Sequence, residues 1–143
     1  MRAGKHYPAY HQIVGEILHV SNKGLTESTR TVRAVIISQT LVSQMIAQIC
    51  RDPEIELVLK DFFDEEGVEI YLKPVSYYVK DKSEVSFDEV LAVSLARGET
   101  AIGIDATNQE FPEKYNIILN PDRDRKFEIS KWMRVVVIAE RED

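Results

Sequence analysis

Sulfur chemistry is nearly absent from this 143-residue chain: one cysteine, Cys50, stands beside three methionines. A lone cysteine closes no internal disulfide, which suits a reducing compartment. It is read as a small buried apolar residue on the first helix of the stretch from Ser38 to Gly67. Long apolar runs are absent too. The longest aliphatic stretch is Val135 to Ala139, far short of the roughly 20 residues that a membrane helix needs. No apolar segment follows Met1 to Gly4, so no signal peptide is read. The chain is expected to be soluble as it stands, and equally so as a fragment of a membrane protein. Positive charge is in deficit: 18 Lys and Arg against 24 Asp and Glu, a net of −6. Nucleic acid is therefore not an expected partner. The six glycines form neither G-x-G-x-x-G nor a P-loop, so no nucleotide motif is present. There is no nucleophile elbow and no Ser/His/Asp or Cys/His spacing, so no enzyme is expected. His6, His11 and His19 lack the spacing of a metal site. No internal repeat or low-complexity segment occurs.

What remains is 44% hydrophobic and 29% charged, the composition of a folded globular protein. Its length suits one domain or two small lobes. The stretch from Ser38 to Gly67 organises the rest. Leu41, Val42, Met45, Ile46 and Ile49 recur at helical spacing, with Ser38 expected as N-cap. Cys50-Arg51-Asp52-Pro53 breaks that helix. Asp52 as N-cap and Pro53 as first residue are expected to start a second helix. Its stripe is Ile55, Val58, Leu59, Phe62 and Phe63, and Gly67 is expected to end it as a left-handed cap.

Upstream, Met1 to Tyr10 reads as a flexible lead. Ile13 to Val20 is a near-continuous apolar strand of the kind covered on both faces. Ser21-Asn22-Lys23-Gly24 is a turn, and Thr31 to Ile37 a second, β-branched strand. Downstream, Val68 to Val75 alternates, with Val68, Ile70 and Leu72 on one face and Glu69, Tyr71 and Lys73 on the other. Ser76 to Val85 reads as a loop. Ser86-Phe87-Asp88-Glu89 is a capping box. It opens a helix to about Arg97 with Phe87, Val90, Leu91 and Leu95 inward, ended by Gly98. Strands follow at Thr100 to Asp105, Tyr115 to Leu119 and Met133 to Glu140, the last in a central position.

Asp61, Asp64, Glu65 and Glu66 crowd the end of the second helix, where carboxylates oppose the helix dipole. Either solvent or a cation such as calcium would relieve them. Arg123, Arg125, Lys126, Lys131 and Arg134 form a basic zone broken by acids, which reads as solvated surface. Trp132 reads as a packing residue.

These residues resemble a known family. Ile13-Val14-Gly15-Glu16-Ile17, then Ala34-Val35-Ile36-Ile37-Ser38 and a long helix, resembles the end of the Rossmann-like lobe of RCK domains, which regulate conductance in potassium channels and transporters. The helix–turn–helix resembles the crossover that joins the two RCK lobes and packs two subunits. Later pieces resemble the Castor/Pollux branch of RCK-bearing ion channels. They are Glu65-Glu66-Gly67 with Glu69-Ile70-Tyr71-Leu72-Lys73-Pro74, Ser86-Phe87-Asp88-Glu89-Val90-Leu91, Ala101-Ile102-Gly103-Ile104, Ile118-Leu119-Asn120-Pro121 and Val135-Val136-Val137-Ile138-Ala139-Glu140. The resemblance is collinear over residues 11 to 142. It lacks pore helices, a filter and most of the Rossmann lobe, and Lys131-Trp132 stands where related lobes often carry Gly-Asp.

The resulting expectation is an α+β protein in three parts. Residues 1–10 are a lead. Residues 11–51 are the strand–strand–helix remnant of a Rossmann-like α/β lobe with its crossover helix. Residues 52–143 form a small lobe like the RCK C-lobe. The family implies a regulatory gating-ring segment on the cytoplasmic side of a membrane, joined to the pore and Rossmann-like portions of a parent channel. Leu41, Met45, Ile49, Ile55, Leu59 and Phe62 are expected at a homodimer interface. Ile102, Gly103, Asp105, Asn120 and Asp122 are the candidate ligand region, and Asp64, Glu65 and Glu66 a candidate cation cluster. The ligand is open: Ca2+ or another regulator. The alternative is a stand-alone dimeric scaffold domain without a ligand.

Overall fold

A computed structural model describes residues 13–19, 21, 32–64, 67–107 and 116–140. The expected lead, the turn at 21–24 apart from Ser21, and Glu65 and Glu66 lie outside the described residues. The chain divides into two compact units, Met1–Leu57 and Val58–Asp143.

In the first unit, β1 (Ile13–Ile17) and β2 (Val32–Ile37) pair in parallel, with Gly15 opposite Val35 and Ile17 opposite Ile37. Parallel pairing suits the near-continuous apolar runs read from the sequence, but β1 stops at Ile17, short of Val20, and Val14 and Ile36 are exposed rather than covered. β2 runs directly into α1 (Ser38–Arg51). Ser38 is not the N-cap. That position is Ile37, which makes no side-chain cap. The Ser38 hydroxyl is drawn away to Glu16, donating to its Oε1 at 2.6 Å. α1 ends where expected, the Asp52 N–H donating to the Gln48 carbonyl at 3.1 Å, but Cys50 near its end is exposed rather than buried.

α2 (Ile55–Phe62) starts later than expected. Asp52 and Pro53 form a tight turn instead, their carbonyls accepting from Ile55 and Glu56. α2 also ends before Gly67. That glycine has no positive φ. A side chain there would meet the Asp61 carbonyl oxygen at 2.9 Å, so Gly67 answers a close backbone approach rather than a left-handed cap.

In the second unit, β3 (Glu69–Pro74), β5 (Thr100–Asp105), β6 (Ile117–Leu119) and β8 (Arg134–Ala139) form an antiparallel sheet ordered β3-β8-β5-β6. β8 is central, as its aliphatic run predicts, with Val136 opposite Leu72 on one side and Gly103 on the other. Two short strands missing from the sequence reading, β4 (Glu84–Ser86) and β7 (Lys126–Glu128), pair with each other. They fall inside the expected loop and the expected basic surface. Val75–Tyr77 is a 3-10 turn.

α3 (Phe87–Ala96) carries the capping box in full: Ser86 accepts from the Glu89 N–H, and the Glu89 carboxylate accepts from the Ser86 N–H. Its end is a Schellman motif. Gly98 takes φ +76°, its N–H donates to the Leu95 carbonyl, and the Glu99 N–H donates to the Ser94 carbonyl. Leu95 does not point inward; it is exposed, and Ser94 is buried in its place. The Ser94 hydroxyl accepts from the Ala101 N–H at 3.3 Å and donates to the Leu91 carbonyl at 2.9 Å. A polar residue can sit in the core here because both its roles are filled. The core gathers Val85, Phe87, Val90, Ile104, Met133, Val135 and Val137.

Candidate functional site

Strand β3 alternates as expected, and the face of Tyr71 and Lys73 is the one turned to the packed side. Ile70 and Leu72 are exposed, while Lys73 is 2% exposed and faces the packed side. Burying an ammonium is costly unless it is paired, and here it is paired. Lys73 Nζ lies 3.1 Å from Oε1 of Glu99, whose side chain is 4% exposed. Arg97 donates to the same oxygen through Nε at 3.1 Å. Tyr78 donates its hydroxyl to the other oxygen, Oε2. Three elements meet on one carboxylate: β3 supplies Lys73, the residue after the 3-10 turn supplies Tyr78, and the Schellman turn after α3 supplies Arg97 and Glu99.

The electrostatics follow from these contacts. Burial acts to raise the Glu99 carboxyl, but bonds from Tyr78, Lys73 and Arg97 outweigh it and hold it below the ordinary carboxylate value. The Tyr78 phenol is pushed up, first by burial and then by the bond to Glu99 and its charge. It therefore stays a neutral donor. The Arg97 guanidinium lies 5.7 Å from the Tyr77 ring centre and 5.6 Å from that of Tyr78, within cation–π range.

A cleft of about 480 Å3 adjoins this cluster, lined by Val68, Arg97, Gly98, Glu99, Thr100, Ile138, Ala139 and Glu140. That volume falls in the small-ligand range of roughly 300–1,000 Å3. Sequence reading missed it. Glu99 and Lys73 sit 26 positions apart, and neither belongs to a motif. The one available signal was a lysine inside an alternating strand.

The residues expected to bind a ligand are placed differently. Asp105 is 1% exposed and fully engaged: Oδ2 accepts from Arg134 Nε at 3.0 Å and Nη2 at 2.5 Å, and Oδ1 accepts from the Thr107 N–H at 2.9 Å. Burial opposes its ionisation, but the bonds from Thr107 and Arg134 prevail and lower its pKa. Gly103 faces the β6 backbone, where an added Cβ would lie 2.4 Å from the Ile118 carbonyl oxygen. Ile102 and Asn120 are joined, the Asn120 N–H donating to the Ile102 carbonyl at 2.8 Å. Asn120 takes φ +47°, and both it and Asp122 are exposed. None of the five lines the cleft.

Of the expected pairing residues, Leu41 is exposed and Met45, Ile49, Ile55, Leu59 and Phe62 are half-buried. More open apolar side chains lie beside them: Val42, Ile46, Val58, and Leu57 and Phe63 at 66% each. No residue of α1 or α2 is buried. Of the acidic cluster only Asp61 and Asp64 are described, and among the described residues no group of three or more His, Cys, Asp or Glu is placed to hold a metal.

Comparison with known proteins gives the context. No family model matches. The chain is 32% identical over 120 residues to the ion channel POLLUX of Lotus japonicus, covering 84% of this chain and 12% of that protein. It is 33% identical over 109 residues to the ion channel DMI1 of Medicago truncatula, covering 76% and 12%. It is 31% identical over 133 residues to the ion channel CASTOR of Lotus japonicus, covering 91% and 15%. The chain thus spans about an eighth of the length of these relatives, which are named as channels and not as enzymes. Among solved structures it is similar to the human SLO3 gating ring, with TM-score 0.62 and 20% identity over 96% of this chain and 27% of that one. Among the described residues no helix is long and apolar enough to cross a membrane. Over most of its length the chain is homologous to a segment of the Castor/Pollux ion channels, and its fold is that of an RCK gating-ring lobe.

Proposed function

We propose that this segment is a regulatory element on the cytoplasmic side of a parent channel, pairing with a second copy through α1 and α2 and shifting between arrangements when a regulator binds. The observation that carries the reading is the uncovered apolar surface of the two helices, Val42, Ile46, Leu57, Val58 and Phe63. Apolar side chains at that density are worth on the order of 1.5–3 kcal/mol each when fully buried, and a two-fold contact is the commonest way to bury them. A regulator that favours one arrangement would move the equilibrium by its differential affinity. Sedimentation equilibrium on the purified chain tests pairing: a dimer at about tens of micromolar is expected, converted to monomer by Ile46→Glu with Phe63→Glu. A wild-type monomer there would overturn the pairing. A thermal-shift screen with calcium, potassium and nucleotides tests regulation, and no stabilisation by any would favour the scaffold reading.

A further inference from the structure

We propose that the cleft beside Glu99 binds a small zwitterion of the amino-acid type, its carboxylate on Arg97 and its ammonium on Glu140. The inference deepens the regulatory reading and rests on it only for the consequence of binding.

Arg97 is held as a preformed anion receptor. Its Nε–H is committed to Glu99 at 3.1 Å, and its guanidinium lies against two tyrosine rings. Glu99 takes only that N–H, so the two Nη groups are not spent on it, and the side chain remains 34% exposed. A guanidinium braced in this way loses little freedom on meeting a carboxylate, which its planar fork matches.

A simple anion would nevertheless face a second charge. Glu140, at the end of β8, lines the same cleft. Its carboxylate brings negative charge to the lining opposite in sign to Arg97, so the cleft presents both signs. A ligand with both signs satisfies each end, whereas a lone anion or cation leaves one end opposed. Thr100 adds a hydroxyl, and Val68, Ile138 and Ala139 add apolar wall. Gly98 keeps the floor open, with nothing within 4 Å of its Cβ direction.

Isothermal titration calorimetry on the chain tests this, with the proteinogenic amino acids as probes and acetate and methylammonium as single-charge controls. At least one amino acid should bind with Kd below about 1 mM, and both controls should be roughly tenfold weaker or worse. Glu140→Gln, an exposed change, should weaken the amino acid roughly tenfold and leave acetate no weaker. Arg97→Gln should abolish both; because Arg97 also braces Glu99, Glu140→Gln is the decisive variant. The assignment is overturned if no amino acid saturates the chain by about 10 mM, if acetate binds as well as the amino acid, or if Glu140→Gln changes nothing. Since pairing is read separately by sedimentation, failure here would leave that reading standing.

Discussion

Replacing Glu99 with leucine is the sharpest test of how the second unit is held together. The substitution removes one acceptor shared by Lys73, Arg97 and Tyr78. Lys73 is 2% exposed, so its ammonium cannot turn to water without opening the packed face of β3. Breaking a buried ion pair from one side costs about 3–5 kcal/mol, and a small domain loses roughly 4–8 °C of Tm per kcal/mol. A fall in Tm on the order of 15 °C or more follows. Glu99→Leu combined with Lys73→Met should recover part of the loss, because the stranded charge goes with its partner. Urea melts of the wild type, both single variants and the double variant give the coupling directly. The reasoning is refuted if Glu99→Leu costs less than about 1 kcal/mol, the range of exposed pairs. It is also refuted if the two changes add to within about 0.5 kcal/mol.

Acid should expose the same contacts. Glu99 and Asp105 both have depressed folded-state pKa values, so their contributions are complete above the unfolded values of 4.5 and 3.8 and are lost as pH falls through the folded ones. Denaturant melts should be flat across neutral pH and weaken below about pH 4.5, less steeply in Glu99→Gln. Glycine substitutions should separate space from strain. Gly103→Ala drives a Cβ to 2.4 Å from a backbone oxygen and should cost about 1–3 kcal/mol or more. Gly98→Ala meets open space, yet φ +76° should still cost about 1–2 kcal/mol by the same melts. Ser86→Ala removes the cap of α3 and should cost about 1 kcal/mol, with Glu89, held down to about 2 first by Lys82 and then by Ser86, moving upward by NMR titration.

What the sequence disclosed and what it hid divide along physical lines. The capping box, Gly98 and the central place of Val135 to Ala139 were legible because each depends on a few neighbouring residues. The parallel β1–β2 pair was legible in its run of β-branched residues. The direction of β3 was not. Period two shows that Tyr71 and Lys73 share a face, but not which face is covered. Hydrophobicity favours Ile70 and Leu72, and Glu99, the partner of the buried Lys73, lies far along the chain. Ser38 lost its cap role for a similar reason, since Glu16 on the neighbouring strand competes for its hydroxyl. Short β4 and β7 were hidden because Lys126-Phe127-Glu128 looks like a charged surface, and a three-residue strand offers too few positions to show alternation. The engagement of Asp105 was hidden because its partner Arg134 lies 29 positions away.

The lobe from Glu69 onward and helices α1 and α2 meet different demands, and that contrast bears on regulation. That lobe has a closed core of its own: among the described residues no buried side-chain polar atom lacks a partner, and its aliphatic core closes around β8 and α3. Helices α1 and α2 have no buried residue at all. Their apolar side chains contribute to stability only when something covers them. Folding of the lobe and covering of the helices are thus separable events with separate free energies. A ligand held by the rigid Arg97–Glu99 turn could not alter pairing unless the paired and unpaired chains presented that turn differently. Amino-acid affinity should then depend on protein concentration across the dimerisation range, and pairing should depend equally on the amino acid, because linkage is reciprocal. Calorimetry repeated at a tenfold dilution would read this directly. Identical Kd values on the two sides of the transition would mean that the cleft and the helical pair are independent devices on one chain.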